Sequence, residues 1–456
     1  MTRRRFVIGV VIVLIPLAIH AIWDQIESTL LARAISDMSR RGEPVSLASR
    51  SAPLESSEQK HAAGLYAAAA GLASWQAGDD GYTMTEKDVE LRASDPRLEQ
   101  ARLDAYLARY APAGELLKVA TPLDFRGFGR HAPELGTNQS SLQNLSGMNN
   151  LSADLLSVRG QGDLAADVLV RSIRLQRTIT IPYYRYLSLG RLYGSLRILL
   201  NHAMPEAASL QRLQLAFDEW PDDDGVGAEL QRQRAQTLGA VWPYPADGAS
   251  WALRLQPGYR AASTEAIAFA VFRPLLTHML RRQIKPYDEA IAVARQPWPA
   301  KLDSARALAE RYGIEARRAG SRTFLERAIK AAGTSMGVWQ LDDALPVGGM
   351  NLARRRTVVA VMAVERFRRA HMGQPPASLA ALVPEYLQSV PQDPFDGAPL
   401  KYRVDAGTYI VYSVDVNRTD DGGALYGFGS GVPGRNRAFR DMSPRDIGIR
   451  VPLRVH

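Results

Sequence analysis

The residue types that carry most protein chemistry are sparse and scattered in this chain. It has no cysteine, which excludes disulfides, thiolate metal sites and cysteine nucleophiles. No two of its seven histidines, among them His202, His278 and His371, fall at the HxxxH or HExxH spacing. That spacing is what sets two imidazoles on one helical face around zinc. Ser57 and Lys60 fit S-x-x-K, the spacing of an acylating serine and its base, but no SDN or KTG companion accompanies them. Gly429, Gly431 and Gly434 fit G-x-G-x-x-G, yet Pro433 interrupts the segment and no helical pattern follows to offer its N-terminus to phosphate. Asn138, Asn144, Asn150 and Asn417 occupy N-x-[ST] sites, which matter only in a eukaryotic secretory pathway. Tyr183, Tyr184, Tyr186 and Tyr193 have the faces to stack on sugars or bases, but their helical spacing favours core packing.

One acidic stretch has better context. Asp415, Asn417, Asp420 and Asp421 follow an apolar segment and precede Gly422 and Gly423. Calcium takes several oxygen ligands from carboxylates, amides and carbonyls on a tight loop, and these residue types supply them. No Glu stands at the twelfth position, so this is not an EF-hand. The spacing alone favours a solvated turn over a calcium site.

Residues this dispersed need a fold to bring them together. The chain has 456 residues, 46% apolar and 23% charged, the range of a packed protein rather than a disordered one. A net charge of +9 supports solubility and weak anion attraction, and does not by itself point to nucleic acid. The basic residues between Arg306 and Lys330 read as a solvated helix face.

Residues 6–23, FVIGVVIVLIPLAIHAIW, form an apolar run. As a helix the run spans about 27 Å, the lower limit for crossing a bilayer. Arg3, Arg4 and Arg5 precede it, and Asp24 and Glu27 follow it. The positive-inside rule then puts the N-terminus in the cytoplasm and the body outside it. A cleaved signal peptide is the rival reading, but Ile19 and His20 spoil the small-residue positions that cleavage near Ala21 needs. A single-pass, uncleaved anchor is expected, with the membrane as a partner through residues 6–23.

The rest reads as mainly helical. A polar helix is expected over 24–41, an alanine-rich one over 59–75 and another over 97–110. Leu142, Leu145, Met148, Leu151 and Leu155 recur at helical spacing. After Gly160 and Gly162, Asp163 is placed to cap a second helix carrying Leu164, Val168 and Ile173. Helices over 183–200 and 205–220 follow. Short links between them imply antiparallel neighbours, a helical-hairpin or solenoid-like body. Further helices are expected over 262–282, 287–295 and 299–312. Residues 358–364, apolar throughout, read as a buried helix centre. Two short strands, over 400–404 and 408–414, form an antiparallel hairpin. From Arg418 onward the composition suggests an irregular, exposed tail. The expected domains are a membrane anchor (1–26), a helical hairpin array (27–240), a second helical region (241–348) and a small C-terminal α+β module with its tail (349–456).

Within that last module, a helix ending ERFRRAHMGQPPASLAAL leads to VPEYL, the turn DPFDGAPLKYR and the strand TYIVYSVD before the acidic, glycine-rich loop. Residues 365–423 thereby resemble the C-terminal part of the major pseudopilins of type II secretion. The resemblance implies a small antiparallel sheet and calcium at Asp415, Asn417, Asp420 and Asp421. In pseudopilins the apolar helix joins this module directly, whereas here it lies about 340 residues upstream. The whole arrangement is similar to bacterial single-pass membrane proteins that pair an exported helical region with such a module. That similarity implies the inner membrane, with a periplasmic body.

The leading expectation is therefore an anchored, exported helical scaffold that binds a protein or peptide partner, with no catalytic residues assigned. One alternative is an envelope hydrolase or lyase acting on polysaccharide or peptidoglycan, through a carboxylate pair that only a fold could identify. The other is a secretion-system accessory protein, which rests on the C-terminal resemblance.

Overall fold

The computed structural model describes residues 3–45, 56–73, 100–123, 139–176, 182–220, 225–239, 263–312, 336–405, 407–425 and 446–453. Among the described residues the protein is mainly helical, with a small antiparallel sheet of three strands. Its contacts divide the chain non-contiguously. One unit contains Met1–Ser51, Gly227–Gln296 and Asp303–Asp342, and the other contains Ala52–Val226, Pro297–Leu302 and Asp343–His456.

In the first unit, α1 (Arg3–Arg40), α8 (Val226–Gly239) and α9 (Ser263–Ala294) supply the core. Leu31 and Met38 of α1 pack with Leu238 of α8 and Leu280 of α9. The expected helices over 262–282 and 287–295 are a single helix, α9, which runs through Pro274 and Pro286. A proline removes one hydrogen bond and adds a clash, but packing of the helical face outweighs that local cost. Along α9, Thr277, Leu280, Tyr287, Ile291 and Ala294 are buried and Ile284 is partly buried, a spacing of three and four that continues through Pro286. α1 likewise continues without a break from the apolar run into the polar segment, as far as Arg40, and the helix expected over 299–312 is α10 (Ala300–Arg311).

In the second unit, α2 (Ser57–Leu72) and α3 (Gln100–Ala120) pack through small side chains. Ala62, Ala63, Ala69 and Ala70 share a buried cluster with Tyr66, Tyr110, Ala113 and Leu117, and with Leu142 and Leu145 of α4 (Gln139–Val158). α4 and α5 (Gly162–Gln176) are antiparallel neighbours: Asn149 contacts Val168 and Ser172, while Ser146 contacts Gln176 further along. α6 (Pro182–His202) and α7 (Ala207–Asp218) extend the array. The core here joins Leu169 and Ile173 of α5, Leu192 and Leu196 of α6 and Leu213 and Phe217 of α7. Each such side chain contributes roughly 1.5–3 kcal/mol of burial.

Asp163 was expected to cap its own helix, but it lies inside the first turn of α5 and caps α7 instead. Its Oδ1 accepts from the Glu206 backbone N–H at 2.8 Å and from the Ser209 hydroxyl at 2.6 Å. A close approach makes this possible: a Cβ on Gly162 would stand 2.9 Å from Pro205 N, so only glycine lets α5 begin against the α6–α7 link.

The same core continues into the C-terminal module. The expected buried run is confirmed, with Val358–Val364 of α11 (Met336–Ala370) all at or below 9% exposure. The hairpin pairs β1 (Lys401–Asp405) with β2 (Thr408–Ser413), in the register Lys401 opposite Tyr412. The region after Arg418 is not wholly irregular, because Ile447–Pro452 forms a third strand, β3, antiparallel to β2. Ile447, Ile449 and Val451 point inward with alternate residues outward. Alternation of this kind over six residues is a strand signal that the surrounding Gly, Asp and Arg masked.

Among the described residues, no helix is long and apolar enough to cross a membrane. The side chains of residues 6–13, which begin the apolar run, lie outside the description.

Candidate functional site

The acidic loop follows β2 and is organised from within by two carboxylates that sequence reasoning did not assign. Asp393, in the turn of the DPFDG segment, is 1% exposed. It accepts from Phe395 N at 2.9 Å, from the Ser413 hydroxyl at 2.9 Å and from Val414 N at 2.8 Å. Asp446, at the start of β3, accepts from Gly423 N at 2.7 Å and from Asp421 N at 3.4 Å. Burial pushes both carboxyls up, while these backbone donors hold them down.

The four predicted ligands sit on this frame in different environments. Asp415 is 5% exposed, has φ +60° and accepts from Val416 N at 2.6 Å. Burial pushes its carboxyl up to about 6, with the Arg354 guanidinium opposing and Asp393 and Asp446 adding to the rise. Asp420 accepts from the Tyr412 hydroxyl at 3.0 Å and from Gly422 N at 2.9 Å. Asp421 accepts from the Asn417 amide at 3.0 Å, and the Asn417 carbonyl oxygen accepts from Thr419 N at 3.0 Å. Gly422 and Gly423 take φ of +68° and +77°, a region that glycine enters without a Cβ penalty. Among the described residues, no group of three acidic, histidine or cysteine side chains is arranged to hold a metal ion.

Behind the sheet lies a buried charged cluster. Glu365 Oε1 accepts from the Tyr409 hydroxyl at 2.7 Å and from Arg368 Nη1 at 2.7 Å. Arg368 Nε donates to Gly373 O at 3.1 Å. Arg368 is 2% exposed and Tyr409 fully buried. Burial, with Glu365 adding to it, raises the Tyr409 phenol well above its usual range. Through these two donors the Glu365 carboxylate joins α11 to β2.

In the first unit, the charges that follow the apolar run are also paired. Glu27, 5% exposed, accepts from Arg281 Nε at 2.8 Å and meets His278 Nδ1 at 2.8 Å. The Arg281 hydrogen bond, helped by His278, holds the Glu27 carboxyl below its usual value against the cost of burial. Asp24 meets Arg273 at 3.3 Å. Arg234, 1% exposed, binds Glu43 at 2.6 Å and also Asp288. Asp24 with Arg273 and Glu27 with His278 and Arg281 run in the same order along α1 and α9, so the two helices are parallel. The sequence signal was the three–four stripe of α9, hidden by splitting that helix at Pro286.

The remaining motifs resolve into structure or fall outside it. Ser56 caps α2, accepting from Gln59 N at 3.0 Å. Ser57 and Lys60 of the S-x-x-K pattern are exposed residues of that helix's first turn. Tyr193 is a core residue, 1% exposed, stacked on Phe217 at 6.3 Å with Arg354 5.8 Å from its ring. Asn150 is buried and accepts from the Ser172 hydroxyl at 2.5 Å. His371 stacks on Phe367 at 3.8 Å. Gly429, Gly431, Gly434 and Asn138, and the side chains of Tyr183, Tyr184 and Tyr186, lie outside the described residues. Comparison with known protein families, curated proteins and solved structures yields no match.

Proposed function

We propose that this chain is a membrane-anchored helical scaffold whose body is exported to the bacterial periplasm and binds a protein or peptide partner. The observation that carries the anchor is the surface of α1. Leu14, Ile15, Leu17, Ile19, Ile22 and Ile26 are each more than half exposed, at 52–61%. Six large aliphatic side chains left in water forgo on the order of 5–10 kcal/mol of burial. A bilayer removes them from water, and Arg3–Arg5 before the run orient it. The scaffold part of the reading is supported by the successive α4–α7 helices on one continuous core, an architecture that presents extended surfaces to a partner. The pseudopilin-like module belongs to the same proposal.

Two measurements test this function. Alkaline phosphatase fused after His456 is expected to be active, and the full chain is expected to stay in membranes after carbonate washing. Release of the chain by carbonate, with an inactive fusion, overturns the reading. In-cell crosslinking of the exported body, followed by mass spectrometry, is expected to capture a defined protein partner. Capture of none above an anchored control rejects the scaffold.

A further inference from the structure

We infer that the two helical turns of α1 beyond the apolar run, carrying Ile26 and Leu30, lie in the outer lipid interface of the membrane. The inference rests on the anchored reading of α1 and extends it to a surface that the run itself does not include. α1 has two unlike faces past Trp23. One is turned to α9 and holds Asp24, Glu27, Leu31 and Met38, all paired or buried. The opposite one is an unbroken stripe, Ile15, Ile19, Ile22, Ile26 and Leu30, at 54%, 61%, 60%, 52% and 36% exposure. Intervals of four, three, four and four keep these five side chains on one helical face.

Three observations favour lipid over a second copy of the chain as what covers this stripe. The stripe is continuous with the run, so no boundary separates Ile22 from Ile26. Its length also answers a deficit: residues 6–23 make about 27 Å of helix against a hydrocarbon core of about 30 Å. Continuing the lipid-facing side to Ile26 lengthens it to about 31 Å, which removes that mismatch and leaves Leu30 one turn further, at the interface. Meanwhile Asp24 and Glu27, on the far face, keep their partners on α9. Finally, the stripe ends at Arg33, which lies on the same face and is exposed, placed to reach anionic headgroups.

The chain has no cysteine, so single cysteines can be introduced and labelled with an environment-sensitive fluorophore in vesicles of phosphatidylethanolamine and phosphatidylglycerol. Ile19→Cys reports on the run, Ile26→Cys and Leu30→Cys on the stripe, and Arg41→Cys on the segment after the helix. The vesicles carry lipids labelled with quencher at shallow or deep positions. Labels at 26 and 30 are expected to shift to the blue and to lose fluorescence most to the shallow quencher. The label at 19 should be quenched by the deep one, and that at 41 by neither. If 19 is quenched while 26 and 30 behave like 41, the stripe is in water and the inference falls with the anchor intact. A blue shift at 26 and 30 without lipid quenching means that protein covers the stripe, which also overturns it. If 19 itself escapes quenching, the anchored reading has failed.

Discussion

Asp163 and Ser209 meet through a 2.6 Å hydrogen bond across the start of two different helices. The same carboxylate oxygen takes the Glu206 backbone N–H, so one side chain on α5 serves as the cap that α7 lacks in its own sequence. The Ser209 hydrogen bond is the largest of the effects that hold the Asp163 carboxyl below its usual value. Its contribution is therefore present above the unfolded carboxylate range near pH 4 and is lost as pH falls through the depressed value. Asp163→Ala is expected to cost about 0.5–2 kcal/mol in chemical denaturation at neutral pH. Asp163→Asn should recover part of that. A variant as stable as the parent would mean the α7 start is capped by water.

Asp415 has the opposite sign. Its folded-state value of about 6 lies above the unfolded value near 4, so folding takes up a proton between them. Stability from this group is fully present below pH 4 and is lost as pH rises through 6. The parent minus Asp415→Asn difference in unfolding free energy is expected to fall by roughly 2–3 kcal/mol across that window. Taking the difference removes Glu27 and Asp163, which titrate in the other sense, whereas Asp393 and Asp446, whose charges add to the rise at Asp415, stay coupled to it. A flat difference would place Asp415 in water.

At the acidic loop, Asp420 and Asp421 accept from Tyr412, Gly422 and Asn417, and among the described residues no three acidic side chains are arranged to share a metal ion. Millimolar calcium and chelator are therefore expected to give the same unfolding midpoint for the full chain. A rise specific to calcium over magnesium, lost in the Asp420→Asn/Asp421→Asn variant, would establish the site that the pseudopilin resemblance implies.

β3 closes the core over β2, and Ile449 is 3% exposed within it. Ile449→Ala is expected to cost about 2–5 kcal/mol by denaturant titration. Exchanging Asp446 for Ala should raise hydrogen exchange at Gly423 and Asp421, whose amides it holds, without opening α4 and α5. Uniform exchange across the unit would show that the loop has no separate support.

Local periodicity was enough to read the helices around Leu145, Val168 and Leu213, the buried 358–364 run and the β1–β2 pair. In each, apolar spacing within one segment identifies the element without a distant residue, although Leu164, expected on one face with Val168 and Ile173, is 56% exposed. What the sequence left open depended on residues far apart in the chain. Asp163 looked like the cap of its own helix because only local donors are visible in sequence, and the donor it uses is 46 residues on. Pro286 of α9 looked like an end because its cost is local, while the packing of Leu280 and Tyr287 that offsets it is tertiary. The Ile447–Val451 alternation was hidden by the Gly, Asp and Arg around it, and its pairing with β2 is tertiary. The acidic loop was legible as a group of four side chains. Its organisers, Asp393 and Asp446, were not, because a carboxylate's role is set by which backbone amides the fold turns toward it.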